Sequence, residues 1–251
     1  MFQLECKKWI RSKYIFFLTF FLVMLAFLSV LSSFYINDIL ESLLAQGQMK
    51  IAFQEVTWSF VLKSFFKNSS QLGLFLAAYM ILNLANLGQS ESLQLFYQTR
   101  SRDLLRIYWP KYLAALLNLV LALSLAFLTA LYLLVLLFDK IDLSMILYTA
   151  SLHFLVFLLL ISILFFLHIL LVSPFALTLA MELVIMLLSA FQQIEVLQKF
   201  SGIHLLLGSH LADKAIQFEE LDAWALASLS FLLLLVLLLV WLKSLFLKLK
   251  K

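Results

Sequence analysis

The chain has 251 residues, 65% hydrophobic and 13% charged, with a mean hydropathy of +1.06, which excludes a water-soluble globular domain. Five Gly and two Pro, against ordinary usage of about 7% and about 5%, point to long unbroken helices and away from a β-rich or loop-rich fold. A single Cys, Cys6, leaves no internal disulfide and no cysteine-based metal site, and the net charge of +4 is small enough that its placement matters more than its sum.

Residues 1–13 place Phe2, Cys6, Trp9 and Ile10 at near-helical spacing opposite Lys7, Lys8 and Arg11, the pattern of a helix lying in the inner membrane interface. A hydrocarbon core of about 30 Å needs about twenty apolar residues per helix. Six segments satisfy that ruler: 14–36, 69–87, 112–138, 143–172, 174–191 and 223–242. Runs such as Phe231 to Val240 are apolar at every position, so the spans read as helices and not as strands of a lipid-facing barrel. The first is too long for a signal peptide and lacks a small-residue cleavage site, so it reads as a retained span.

Positive charge marks the cytoplasmic side. Lys7, Lys8, Arg11 and Lys13 flank the first span, Arg100, Arg102, Arg106 and Lys111 lie between the second and third, and Lys243, Lys248, Lys250 and Lys251 follow the sixth. Twelve of the eighteen basic residues thus fall on one face, while ten of the fourteen acids fall on the other. The expectation is an all-α polytopic protein of one membrane domain, in the cell inner (plasma) membrane, with six spans and both termini cytoplasmic.

Two outer segments, Asn37 to Asn68 and Gln192 to Asp222, keep apolar residues at helical intervals, as at Ile194, Leu197 and Phe200. Both predict short helices on or partly in the outer leaflet. Asn68-Ser69-Ser70 has the form of a glycosylation acceptor, but so close to a span it reads as chance. In the third span Ala114, Asn118, Ala122, Ala126 and Ala130 recur every fourth residue, a small-residue face suited to another helix. Asn83 and Asn86 share a face of the second span, where their amides would seek partners across a helix pair.

Three ionisable residues fall within spans: His153 and His168 in the fourth and Glu182 in the fifth. Charge in hydrocarbon is costly, so each must face protein or water or stay neutral. The two histidines are about 22 Å apart along one helix and cannot share a metal ion. Ser162, Ser209 and His210 form no nucleophile–base constellation, which argues against a hydrolase. There is no P-loop, so the chain does not bind ATP by that route, and no Gly-rich filter run.

The inner loop 88–111 mixes charged, aliphatic and aromatic residues. Ser101 can cap a short helix with Asp103 in its first turn and Arg106 three residues on. That helix would make Ser101 to Tyr108 a docking knob, with Leu104, Leu105 and Ile107 for a groove and the arginines, Arg102 and Arg106 among them, for its acidic rim.

At this loop the sequence resembles the permease subunits of ABC transporters of the ABC type-2 exporter family. Ser92-Leu93, Leu95-Phe96-Tyr97, Ser101-Arg102 and Lys111-Tyr112-Leu113-Ala114 follow the family's loop pattern, with Glu91 and Arg100 standing where the pattern has Gly and Pro. Gly208 to Trp224 is similar to the family's outer segment before the last span. The resemblance implies an inner-surface helix, six spans and a cytosolic coupling loop docking on a separate ABC ATPase subunit. It further implies a second permease chain, identical or different, to complete the pathway. ATP and Mg would belong to the ATPase, with no cofactor on this chain, and the partners would be lipid and protein with no nucleic acid. The cargo would be hydrophobic or amphipathic. The alternatives are a membrane scaffold whose loop recruits another cytosolic partner, and a secondary carrier or intramembrane enzyme using Glu182.

Overall fold

The computed structural model describes residues 2–44, 56–85, 105–168, 173–191, 194, 202–208, 211 and 218–249. Among these residues the structure is all-helical, with no strand. Four helices are long and apolar enough to cross a membrane: Tyr14–Phe34, Tyr108–Leu137, Leu143–His168 and Ala225–Leu242.

Helix α1 (Phe2–Arg11) forms over the basic-aromatic stretch, with Trp9 buried and Lys7, Lys8 and Arg11 exposed. Lys13, in the left-handed region at φ 60°, turns the chain sharply into α2 (Tyr14–Phe34). The first span therefore ends at Phe34, and a break at Tyr35 leads into the short α3 (Ile36–Leu44).

Helix α4 (Trp58–Asn68), capped by the Thr57 hydroxyl, runs through a π-turn (Ser69–Gly73) into α5 (Leu74–Ala85). Backbone angles stay helical across both joins, so the three pieces form one rod, about 40 Å long at the usual rise. The expected second span, 69–87, is thus the later part of a helix that begins at Trp58. The polar run Lys67-Asn68-Ser69-Ser70 hides this continuity in the sequence, although Ser69 and Ser70 are buried.

Helix α6 (Leu105–Leu137) starts before the expected residue 112 and carries Pro110 inside it. A proline this near the start removes one backbone hydrogen bond without ending the helix. Its main partner is α2, and the stripe Ala114, Asn118, Ala122, Ala126 and Ala130 is buried throughout. Small side chains allow the close backbone approach that drives association where lipid is as apolar as Leu. Asn118 satisfies its amide locally, donating to the Ala114 carbonyl at 2.7 Å.

Helices α7 (Leu143–His168) and α8 (Pro174–Ala190) follow, α8 capped by Ser173. A single turn, α9 (Ile203–Leu206), precedes α10 (Phe218–Leu249), which extends the expected last span at both ends. The core runs through α2, α4, α5, α6 and α7, with α10 laid chiefly on α7.

Candidate functional site

Part of the segment between α8 and α10 packs inside the bundle. Gly202, at φ 67°, turns the chain so that Ile203, His204, Leu205, Leu206 and Leu207 are all buried. A Cβ on Gly202 would meet Leu232 at 3.3 Å and Val156 at 3.5 Å, residues near the midpoints of α10 and α7. The turn therefore lies beside the middles of α7 and α10. Gly208, at φ 61°, follows the turn, and a Cβ there would meet Phe66 of α4 at 2.7 Å.

What holds the turn is the Leu206 carbonyl. The last carbonyls of a helix lack an intrahelical donor, and this one accepts from His153 Nδ1 of α7 at 2.7 Å and from Ser70 Oγ of the π-turn at 2.7 Å. Since a carbonyl only accepts, His153 carries its proton on Nδ1. The Ser70 hydroxyl proton is shared with the Phe66 carbonyl, 2.6 Å away. The imidazole stacks on Phe66, centroids 4.6 Å apart and planes at 23°, with Phe157 at 5.9 Å closing another side. Two residues before Ser70, Asn68 Nδ2 donates to Ser29 Oγ at 2.9 Å, joining the rod to α2. The π-turn is what aims Ser70 inward, a common use of such bulges.

A second polar group gathers at the opposite end of the bundle, where α1, α5 and α6 meet. Lys8 Nζ donates to the Leu84 carbonyl at 3.5 Å and Lys111 Nζ to the Ala85 carbonyl at 3.3 Å. Both ammonium groups thus cap the negative end of α5. Beneath them Glu5, Trp9, Ile81, Lys111, Ala115 and Phe165 line a cleft. Aromatic rings belt the same end: Tyr112 lies 5.2 Å from both Phe165 and Phe166, Trp109 6.0 Å from Phe166, and Tyr108 6.4 Å from Phe165. The Tyr112 hydroxyl bonds Ser162 Oγ at 2.6 Å, fastening α6 to α7.

Of the residues singled out in the sequence, Ser101, Arg102, Asp103, Leu104 and Asn86 lie outside the described residues. Leu105, Arg106, Ile107 and Tyr108 belong to the first turn of α6, and Tyr108 is half-buried. Asn83 sits on an exposed side of α5, off the face formed by Ala77, Ala78, Ile81 and Leu82. His153 and His168 are both buried, as their cost in hydrocarbon requires. Glu182 lies in the packed stripe of α8, apart from both polar groups described above. Among the described residues no three metal-ligating side chains converge.

Sequence reasoning passes over Ser70, His204 and the Leu206 carbonyl. The available signal is glycine: in so Gly-poor a chain, Gly202 and Gly208, six residues apart, bracket a tight turn. No protein-family model, curated protein or solved structure matches the chain.

Proposed function

We propose that the chain is the membrane-spanning subunit of an ATP-driven transporter of the ABC type-2 exporter class, moving a hydrophobic or amphipathic cargo. In this reading the chain crosses the membrane six times: by α2, the α4–α5 rod, α6, α7, α8 and α10. Both termini and the loop from residue 86 to 104 are cytoplasmic, and a separate ATPase subunit docks on that loop. A second permease chain completes the pathway.

The observation that carries the reading is the double clamp at the base of the loop. The chain leaves at Ala85 and returns into α6, and Lys8 and Lys111 tie that exit to α1 and α6 by the Leu84 and Ala85 carbonyls. Force applied to the loop would reach three helices at once, and α6 would pass it to α2, its main partner. A coupling device needs such a stiff connection to a two-state element. The basic residues of the loop and the resemblance of its sequence to the family pattern support the same conclusion.

The test is co-purification of the tagged chain from its own cells. A P-loop ATPase should accompany the native chain and be lost when Leu104, Leu105 and Arg106 are replaced together by Ala, with membrane insertion unchanged. Retention of the ATPase by the triple variant would refute the docking assignment.

A further inference from the structure

Helix α8 turns one stripe to the bundle: Leu177, Thr178 and Ile185 are buried, Met181, Glu182 and Leu188 half-buried, while Leu179, Leu183 and Leu187 face outward. Glu182 stands in that stripe, four residues from Thr178 and three from Ile185. Its Oε2 is closed off from solvent and meets no hydrogen-bond donor among the described residues. Thr178, the nearest polar residue on its own helix, commits its hydroxyl proton to the Phe175 carbonyl at 2.9 Å.

Among the described residues, the elements that pack most on α8 are α5, α7 and α9, and none contains Lys or Arg. Their cationisable groups are His153, His168 and His204, and none of these reaches Glu182 Oε2. A carboxyl group held this way in an apolar setting is costly unless a partner arrives. Two turns toward the start of α8, about 10 Å away, Phe175 meets Phe75 and Tyr79 of α5 edge to face at 6.5 and 6.3 Å. Tyr79 and Phe175 are exposed at the edge of the seam. One seam thus offers a lone acid at one end and an aromatic ledge at the other.

We propose that the α5–α8 seam binds an amphiphilic organic cation, its protonated amine against Glu182 and its apolar body along Phe75, Tyr79 and Phe175. The cation enters sideways from the bilayer, where the half-buried carboxyl is within reach. The site narrows the amphipathic cargo of the proposed transporter to a charged class, but binding at it requires no ATPase.

The experiment uses the purified full chain in nanodiscs of zwitterionic lipid, titrated with a dansyl-labelled dodecylammonium and with the matching dansyl-labelled dodecanol. The cation should bind about ten-fold tighter than the alcohol, the value of one well-placed ionic contact. Glu182→Gln should remove the preference and Glu182→Asp keep it. The double variant Tyr79→Leu, Phe175→Leu should weaken both probes alike. Equal affinities in the native chain, or a preference that survives Glu182→Gln, would overturn the site. The native-chain comparison stands even if a variant fails to fold, and because no ATPase is present the result is independent of the coupling-loop test.

Discussion

At the scale of single residues, the Leu206 carbonyl carries the most. It accepts from two elements, π-turn and α7, and so joins the inserted turn to both. Interhelical hydrogen bonds in membrane proteins are worth about 0.6 kcal/mol on average and about 1.7 at most. Ser70→Ala should therefore cost about 1 kcal/mol, read as a lowered unfolding midpoint in detergent, because His153 still serves the carbonyl. His153→Ala removes the donor and also the ring stacked on Phe66, leaving a cavity, and should cost about 3 kcal/mol. Equal losses for the two variants would argue against this division. His153 was legible in the sequence as a buried histidine, since an imidazole in so apolar a run must face protein. Its partner was not, because a backbone carbonyl leaves no mark in the sequence. Ser70 was masked for a different reason, its polar neighbours reading as the end of a span.

Asp142 makes a separate residue-scale case outside the spans. It caps α7, accepting from Ser144 Oγ at 2.6 Å and from the Met145 N–H at 3.1 Å, and these bonds, that from Ser144 first, hold its carboxyl below the usual value of 3.8. A depressed folded-state pKa stabilises at pH above 3.8 and stops doing so as pH falls through the lower folded value. Asp142→Ala should therefore unfold more easily than the native chain near neutral pH. The gap should close on acidification, as equilibrium unfolding across pH would measure.

At the scale of elements, hydropathy located most helices because membrane spans are read by length and composition alone. Boundaries suffered where polarity inside the bundle imitates a span end. The rod of α4 and α5 shows how: Lys63 and Lys67 sit on α4, yet Val61, Leu62, Phe65 and Phe66 on the same helix are fully buried. Ile203 to Leu207 is too short a run for hydropathy to mark it as buried among the long helices. Its placement depends on two glycines. Gly208→Ala would force a left-handed alanine, costing about 1 kcal/mol. It would also drive a methyl to 2.7 Å from Phe66, a ring held against His153 and unable to yield, for about 2 kcal/mol more. Gly202→Ala, with its nearest contact at 3.3 Å, should cost only the backbone term. Thermal melts of the two variants should rank in that order, and the reverse ranking would contradict the packing described for Phe66.

At the scale of the whole molecule, α1 and the starts of α2 and α6 gather with the end of α5 at one face, and the inserted turn enters from the other half. The charge pattern put Lys8 and Lys111 on one face, and in space both donate to the last carbonyls of α5. The account as a whole depends on the basic loop being a cytosolic handle for an external motor. The most direct measurement is labelling of Ser101→Cys, in a Cys6→Ser background, with a membrane-impermeant thiol reagent in vesicles of both orientations. The account predicts labelling only when the cytosolic face is outward, and protection once the ATPase is bound. Labelling from the opposite face would contradict it.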